Sequence, residues 1–210
     1  MSQPAPDAAD TQRLLAAVRA GGREALDQLL AQHRPFLRWF VELRMDPHLR
    51  ARLDPSDVVQ EAQIEAVRRV PGYLDNPALP FRLWLRQIAY DRLLMARRQH
   101  VEADRRAVNR EAPLPDGSSI LLAQQVLAGA PTPSQLVVQE ELAHRVRQAV
   151  ATLPDGDRDI LLMRNFEGLS NAEVAQVLDL DPGTASKRYG RALLRLRQLL
   201  LDTGFSEAPP

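Results

Sequence analysis

The sequence predicts an all-α protein: two small helical domains joined by a flexible linker, the C-terminal one containing a helix-turn-helix. Three observations lead there. Leu, Ala and Val recur at spacings of three and four, with few β-runs between them, the pattern of amphipathic helices. The periodic stretches open on capping residues and close on Gly or Pro. Between residues 102 and 133 the periodicity fails, and Pro113, Pro115, Pro131 and Pro133, with Asp116-Gly117-Ser118-Ser119, mark a tether. A chain of 210 residues, 45% of them apolar, is long enough for such a pair of domains. The expected boundaries are 8–101 for the first domain, 102–133 for the linker and 134–202 for the second.

Each element follows from its own signals. Residues 11–31 show helical spacing broken at Gly21-Gly22, and "REALDQLLAQHRPFLRWFVELRM" continues as a second helix with a bend expected at Pro35. "DPSDVVQEAQIEAVRRV" opens on Asp54 as cap and Pro55 in the first turn, and is expected to stop at Pro71-Gly72. "GYLDNPALP" reads as a loop, because Pro77 and Pro80 cannot sit inside a helix. "FRLWLRQIAYDRLLMARRQH" is a long helix with Phe81, Leu85, Ile88 and Leu93 spaced as a buried stripe. Within the linker "SSILLAQQVLAG" reads as a short helix. "SQLVVQEELAHRVRQAVATL" follows with Ser134 as cap, then "DGDRDILLMRNFEGLS", ended by Gly168; the tail "DTGFSEAPP" frays.

Near the C-terminus two short helices meet. Ser170-Asn171-Ala172-Glu173 fits the capping box. "DLDPG" then turns the chain, with Asp181 as the next cap and Pro182 at the first helical position. Two helices joined by so short a turn make a helix-turn-helix. On the second, Ala185, Tyr189, Ala192, Leu196 and Leu199 share a face, and Thr184, Lys187, Arg188, Arg191 and Arg195 another. The apolar face must dock, so the basic one points outward.

Charge is unevenly placed. The chain carries 27 basic and 27 acidic residues, yet "GTASKRYGRALLRLR" holds five cations and no acid. Residues 82–110 hold eight arginines against three acids, a surplus of about five. A basic face on the second helix of a helix-turn-helix suits the DNA major groove, where Arg and Lys reach guanine O6 and N7. The plainer reading, cations favouring a helix C-terminus, accounts for charge but not for its placement.

Other classes fall away. There is no Cys, so disulfides and Cys-based zinc sites are excluded. No signal-peptide core and no run of about 18 apolar residues is present, so a cytoplasmic protein without a membrane span is expected. His33, His48, His100 and His144 are scattered singly without metal-binding spacing, and no Gly-rich phosphate loop occurs. No enzyme activity, cofactor or metal is expected.

Three stretches in order carry a resemblance to a known family. "DPSDVVQEAQIEAVRRV" resembles the helix with which bacterial sigma factors grip the β′ coiled coil of RNA polymerase, typically built on Asp-(Leu/Val)-Val-Gln-Glu. "FRLWLRQIAYDRLLMARRQH" is similar to their promoter-melting, −10-reading helix, and "LPDGDRDILLMRNFEGLSNAEVAQVLDLDPGTASKRYGRALLRLRQLL" to their −35-reading domain. The family is the extracytoplasmic-function (ECF) sigma factors, and the resemblance covers most of residues 10–100 and 134–200. The order Ser186, Lys187, Arg188, the presence of Gly190, and Ala62 and Gln63 after "VVQE" depart from its usual pattern.

The resemblance implies partners and roles. RNA polymerase core, through its β′ coiled coil and β flap, promoter DNA and an anti-sigma factor are the partners it implies. Asp57, Val58, Gln60 and Glu61 would meet core. Thr184, Ser186, Lys187, Arg188, Arg191 and Arg195 would read −35 DNA. Asp75, Asn76, Arg82, Trp84, Arg86, Tyr90, Arg92, Arg97 and Arg98 would melt and hold the −10 strand. Read by themselves, Asp57, Gln60 and Glu61 also fit ordinary helix N-terminal acidity, and Phe81, Trp84 and Tyr90 fit a core. The loop at Asp75 and Asn76 fits either a pocket for an extruded base or a plain connection. The competing function is a conventional dimeric helix-turn-helix regulator, which requires a symmetric dimer and palindromic operators.

Overall fold

The computed structural model describes residues 8–45, 47–101 and 136–202, with Ser119, Leu122 and Val126 besides. They fall into two compact units, one within residues 3–112 and one from residue 113 onward, with helices the only regular structure among the described residues. Asp116, Ser134, the rest of the expected linker and residues 203–210 lie outside the described residues. Ser119, Leu122 and Val126 are helical and buried, three and four residues apart.

In the first unit, α1 (Ala8–Arg19) ends at Gly21, whose φ of 89° only glycine adopts without strain. Then come α2 (Arg23–Arg44), a four-residue α3 (Pro47–Arg50), α4 (Pro55–Asp75) and α5 (Phe81–Val101). The core lies where α2, α4 and α5 pack together, on Leu29, Leu37, Phe40, Val59, Ala62, Leu85 and Ala89. Phe81, Leu85, Ile88 and Leu93 form the expected buried stripe. α3 was not expected, and α2 runs unbroken through Pro35.

α4 also outlasts its expected end. Pro71-Gly72 reads as a stop in the sequence, yet the helix continues to Asp75. An interior proline costs about 3 kcal/mol. Against it stand the burial of Val70 and Tyr73, each contributing about 1.5–3 kcal/mol. The Tyr73 ring packs 5.5 Å from Phe81 and 4.6 Å from Trp84, and its hydroxyl donates to the Leu79 carbonyl at 3.1 Å. Tertiary burial outweighs local propensity here.

The second unit is α6 (Leu136–Thr152), α7 (Asp155–Leu161), a π-helical turn (Leu162–Phe166), α8 (Asn171–Leu178) and α9 (Pro182–Asp202). α9 packs on α6, α7 and α8 over Val146, Ile160, Leu161, Val174, Ala192 and Leu196. Gly168, with φ 69°, breaks the chain after the π turn.

Candidate nucleic-acid interface

The turn that aims α9 is fixed by hydrogen bonds from its own residues. Ser170 Oγ accepts from the Glu173 N–H at 3.2 Å, and Glu173 Oε2 accepts from the Ser170 N–H at 2.8 Å, the expected capping box. α8 closes at Asp179 in the left-handed region, φ 53°. Asp181 Oδ1 accepts from the Thr184 N–H at 2.9 Å, and the Thr184 hydroxyl and backbone hold the Asp181 carboxyl below its usual range. Asn171 Nδ2 donates to the Pro182 carbonyl at 2.8 Å, tying the two helix starts together.

On α9, Ala185, Ala192, Leu196 and Leu200 are buried. Tyr189 is half-buried: its hydroxyl donates to Asn165 Oδ1 at 3.1 Å and the Arg164 guanidinium lies 5.3 Å from its ring centre. Both partners come from the π turn, where a wider spiral re-aims side chains. Thr184, Ser186, Lys187 and Arg191 are exposed. Arg188 and Arg195 sit differently. Arg188 is half-buried over Gly156, and Nη1 of Arg195 donates to Asp157 Oδ2.

In the first unit, Asp54 caps α4 by accepting from the Ser56 N–H at 2.7 Å, which with the Ser56 side chain lowers its own pKa. Asp57, Gln60 and Glu61 are exposed on one side of α4. Val58 is not with them. At 1% exposure it packs in the core, because it shares the inner stripe with Ala62 and Ala66. Ile64 and Val67 instead prolong the outer face, 48% and 46% exposed. The motif does not single them out, although the three-and-four progression from Gln60 and Glu61 reaches both.

The α5 cations divide. Arg86 is 2% exposed, its guanidinium 4.9 Å from the Phe40 ring centre, so it is a core residue and not a strand contact. Arg82 lies 5.1 Å from Phe36, and Arg44 lies 5.1 Å from Tyr90. Residues 36, 40 and 44 of α2 thus meet 82, 86 and 90 of α5 in a ladder of guanidinium and ring, stepping four residues on each helix. Arg92 pairs with Glu65 of α4 at 3.2 Å, and Glu65 also takes Arg69 at 2.6 Å. That hydrogen bond and the charges of Arg69, Arg92 and Arg68 lower the Glu65 pKa. Arg97 and Arg98 are exposed. Trp84 is half-buried against Tyr73 and Phe81. Asp75 and Asn76 are exposed at the end of α4, so the connection to α5 is shorter than the expected loop.

His33 is one of the four histidines scattered along the sequence. It is buried, its Nδ1–H donating to the Leu29 carbonyl at 2.9 Å and its ring set edge-on to Phe81 at 5.1 Å. Burial lowers its pKa, and the nearby Arg82 charge lowers it further. Among the described residues no group of three or more His, Asp and Glu could hold a metal ion. No described helix is long and apolar enough to cross a membrane.

A capped helix-turn-helix with an exposed basic face, in a chain that also contains a second helical unit, defines a DNA-binding protein of the transcription class. Residues 143–196 match the family described as Sigma-70, region 4. The chain is 29% identical to the ECF RNA polymerase sigma factor SigD of Mycobacterium tuberculosis over 186 residues, 88% of this chain and 81% of that one. It is also 29% identical to the RNA polymerase sigma factor CnrH of Cupriavidus metallidurans, over 91% of this chain and 95% of the relative. The solved structure of CnrH in complex with the cytosolic domain of CnrY shares the fold, with TM-score 0.56 and 24% identity over 94% of this chain and 99% of that one. Over most of its length the chain is thus similar to ECF sigma factors.

Proposed function

We propose that this chain directs RNA polymerase core to specific promoters and starts transcription by reading −35 DNA and opening −10 DNA. The observation that carries the reading is the placement of Lys187 and Arg191. Both are exposed on the second helix of a doubly capped helix-turn-helix whose inner stripe is buried. In this reading Thr184, Ser186, Lys187, Arg188, Arg191 and Arg195 face the −35 duplex. Asp57, Gln60 and Glu61, continued by Ile64 and Val67, dock on core. Arg97 and Arg98, with Arg82, Arg92, Trp84, Tyr90 and the corner at Asp75 and Asn76, meet the −10 strand. Residues 8–101 and 134–202 are the two working domains, 102–133 the strap between them, and the cytoplasm the place of action.

The balanced charge, 27 against 27, supports dependence on core. Phosphate neutralisation supplies much of DNA affinity, so a chain without net positive charge binds DNA weakly when alone. Chemistry belongs to the polymerase, and the chain acts by binding and positioning. Because CnrH is solved in complex with CnrY, and RpoE of Bartonella quintana with the anti-sigma factor NepR, a protein partner of that kind also belongs to the reading.

The test is to add purified protein to sigma-free core polymerase and score initiation at defined start sites on DNA from the same genome. Discrete transcripts support the reading. A protein that stays apart from core on a sizing column, yet shifts a palindromic duplex, is a dimeric regulator instead.

A further inference from the structure

The first turn of α7 meets the basic side of α9 at two points. Asp157 is 8% exposed, and its Oδ2 accepts from Nη1 of Arg195. The Arg195 side chain itself remains 58% exposed. One residue earlier, Gly156 is covered by Arg188, and a methyl group placed there would overlap that guanidinium. The Asp157–Arg195 pair joins residues 38 apart in sequence, so the fold makes it rather than helical adjacency.

A guanidinium carries five N–H donors in a rigid planar fork. With Nη1 held by a buried carboxylate, the orientation of the whole plane is set, while the exposed part of the side chain still offers donors to solvent. An arginine ordered in advance avoids the entropy that a rotamer-rich side chain otherwise loses on binding.

Resting on the −35 reading above, we infer that Asp157 is a positioning residue for the DNA-facing side of α9. It holds the Arg195 guanidinium so that its outer edge meets a phosphate oxygen, and Gly156 provides the seat along which Arg188 lies. Two effects of Asp157 oppose each other, and their signs separate the possibilities. By charge alone, an acid beside a DNA-facing helix weakens attraction, and its removal strengthens binding. By positioning, its removal releases Arg195 and weakens binding.

Asp157→Asn keeps the size and removes the charge. The experiment uses the full chain assembled with bacterial core polymerase; the probe is the duplex that the wild-type complex enriches from a random-sequence pool. Asp157→Asn is expected to weaken probe binding about five- to tenfold, the scale of one charge-assisted contact, with affinity for core unchanged. In an Arg195→Ala background the same substitution is expected to add nothing, which a merely structural role would not produce. Gly156→Ala, which displaces only the end of Arg188, is expected to weaken binding about threefold, a fraction of one such contact, without lowering the melting temperature, and carries the test should Asp157→Asn fail to fold. Binding by Asp157→Asn as tight as or tighter than wild type overturns the inference, as does a full effect in the Arg195→Ala background or no effect of Gly156→Ala. Failure of the −35 reading itself looks different: no duplex is enriched, or Lys187→Ala with Arg191→Ala leaves probe binding unchanged.

Discussion

The guanidinium of Arg86 lies 4.9 Å from the centre of the Phe40 ring, almost wholly out of water. Whatever a buried cation costs in desolvation, truncating one that is packed in place leaves a void and strands whatever it bonded. Arg86→Ala is therefore expected to lower stability by about 3 kcal/mol in urea unfolding. Arg98→Ala, on the exposed end of the same helix, should stay within about 0.5 kcal/mol.

His33 gives the first unit an acid sensitivity. Its folded pKa lies below the ordinary 6.5, so the folded state resists the proton that the unfolded chain accepts. Stability from this group is complete above about pH 6.5 and is lost as pH falls through the window below it. The depressed carboxyls of Asp54 and Glu65 act only below their ordinary values of 3.8 and 4.5, outside that window. Urea midpoints should fall between pH 7.5 and 5.5, and His33→Gln should flatten the difference. An equal slope in the variant would refute the assignment.

Ile64 offers a separation of stability from docking. Exposed as it is, Ile64→Asp should change unfolding by no more than about 0.5 kcal/mol. Affinity for core polymerase, followed by fluorescence anisotropy, should drop about tenfold, as expected for a charge placed in an apolar contact. Unchanged affinity would place the docking face elsewhere.

Gly190 stands inside α9, and nothing lies within 4 Å of a methyl group built there. Gly190→Ala should raise stability by about 1 kcal/mol, measured by thermal melting. DNA binding by the polymerase complex should be unchanged where the helix backbone stays clear of DNA, and reduced where the two come close.

Local signals located most helix starts. Asp54, Ser170 and Asp181 cap where the sequence places them, because a cap is a contact within four residues. What the sequence hid depends on partners far along the chain. Pro71 reads as a stop until Tyr73 is seen packed on Phe81 and Trp84. Arg86 and Arg92 read as outward cations until Phe40 and Glu65 arrive from other helices. Val58 was misplaced for a simpler reason, since a motif says which residues recur and not which way each one faces. The α9 face was more legible, yet even there Asp157 takes Arg195 from across the fold.

The extension of α4 through Pro71 has a mechanical result. Only residues 76–80 remain to reach α5, two of them prolines, with the Leu79 carbonyl stapled by Tyr73. So brief and pinned a corner has little freedom to flap. On the −10 reading proposed above, the distortion at this edge is borne by the nucleic acid, bending to a stiff template that was in place before it arrived.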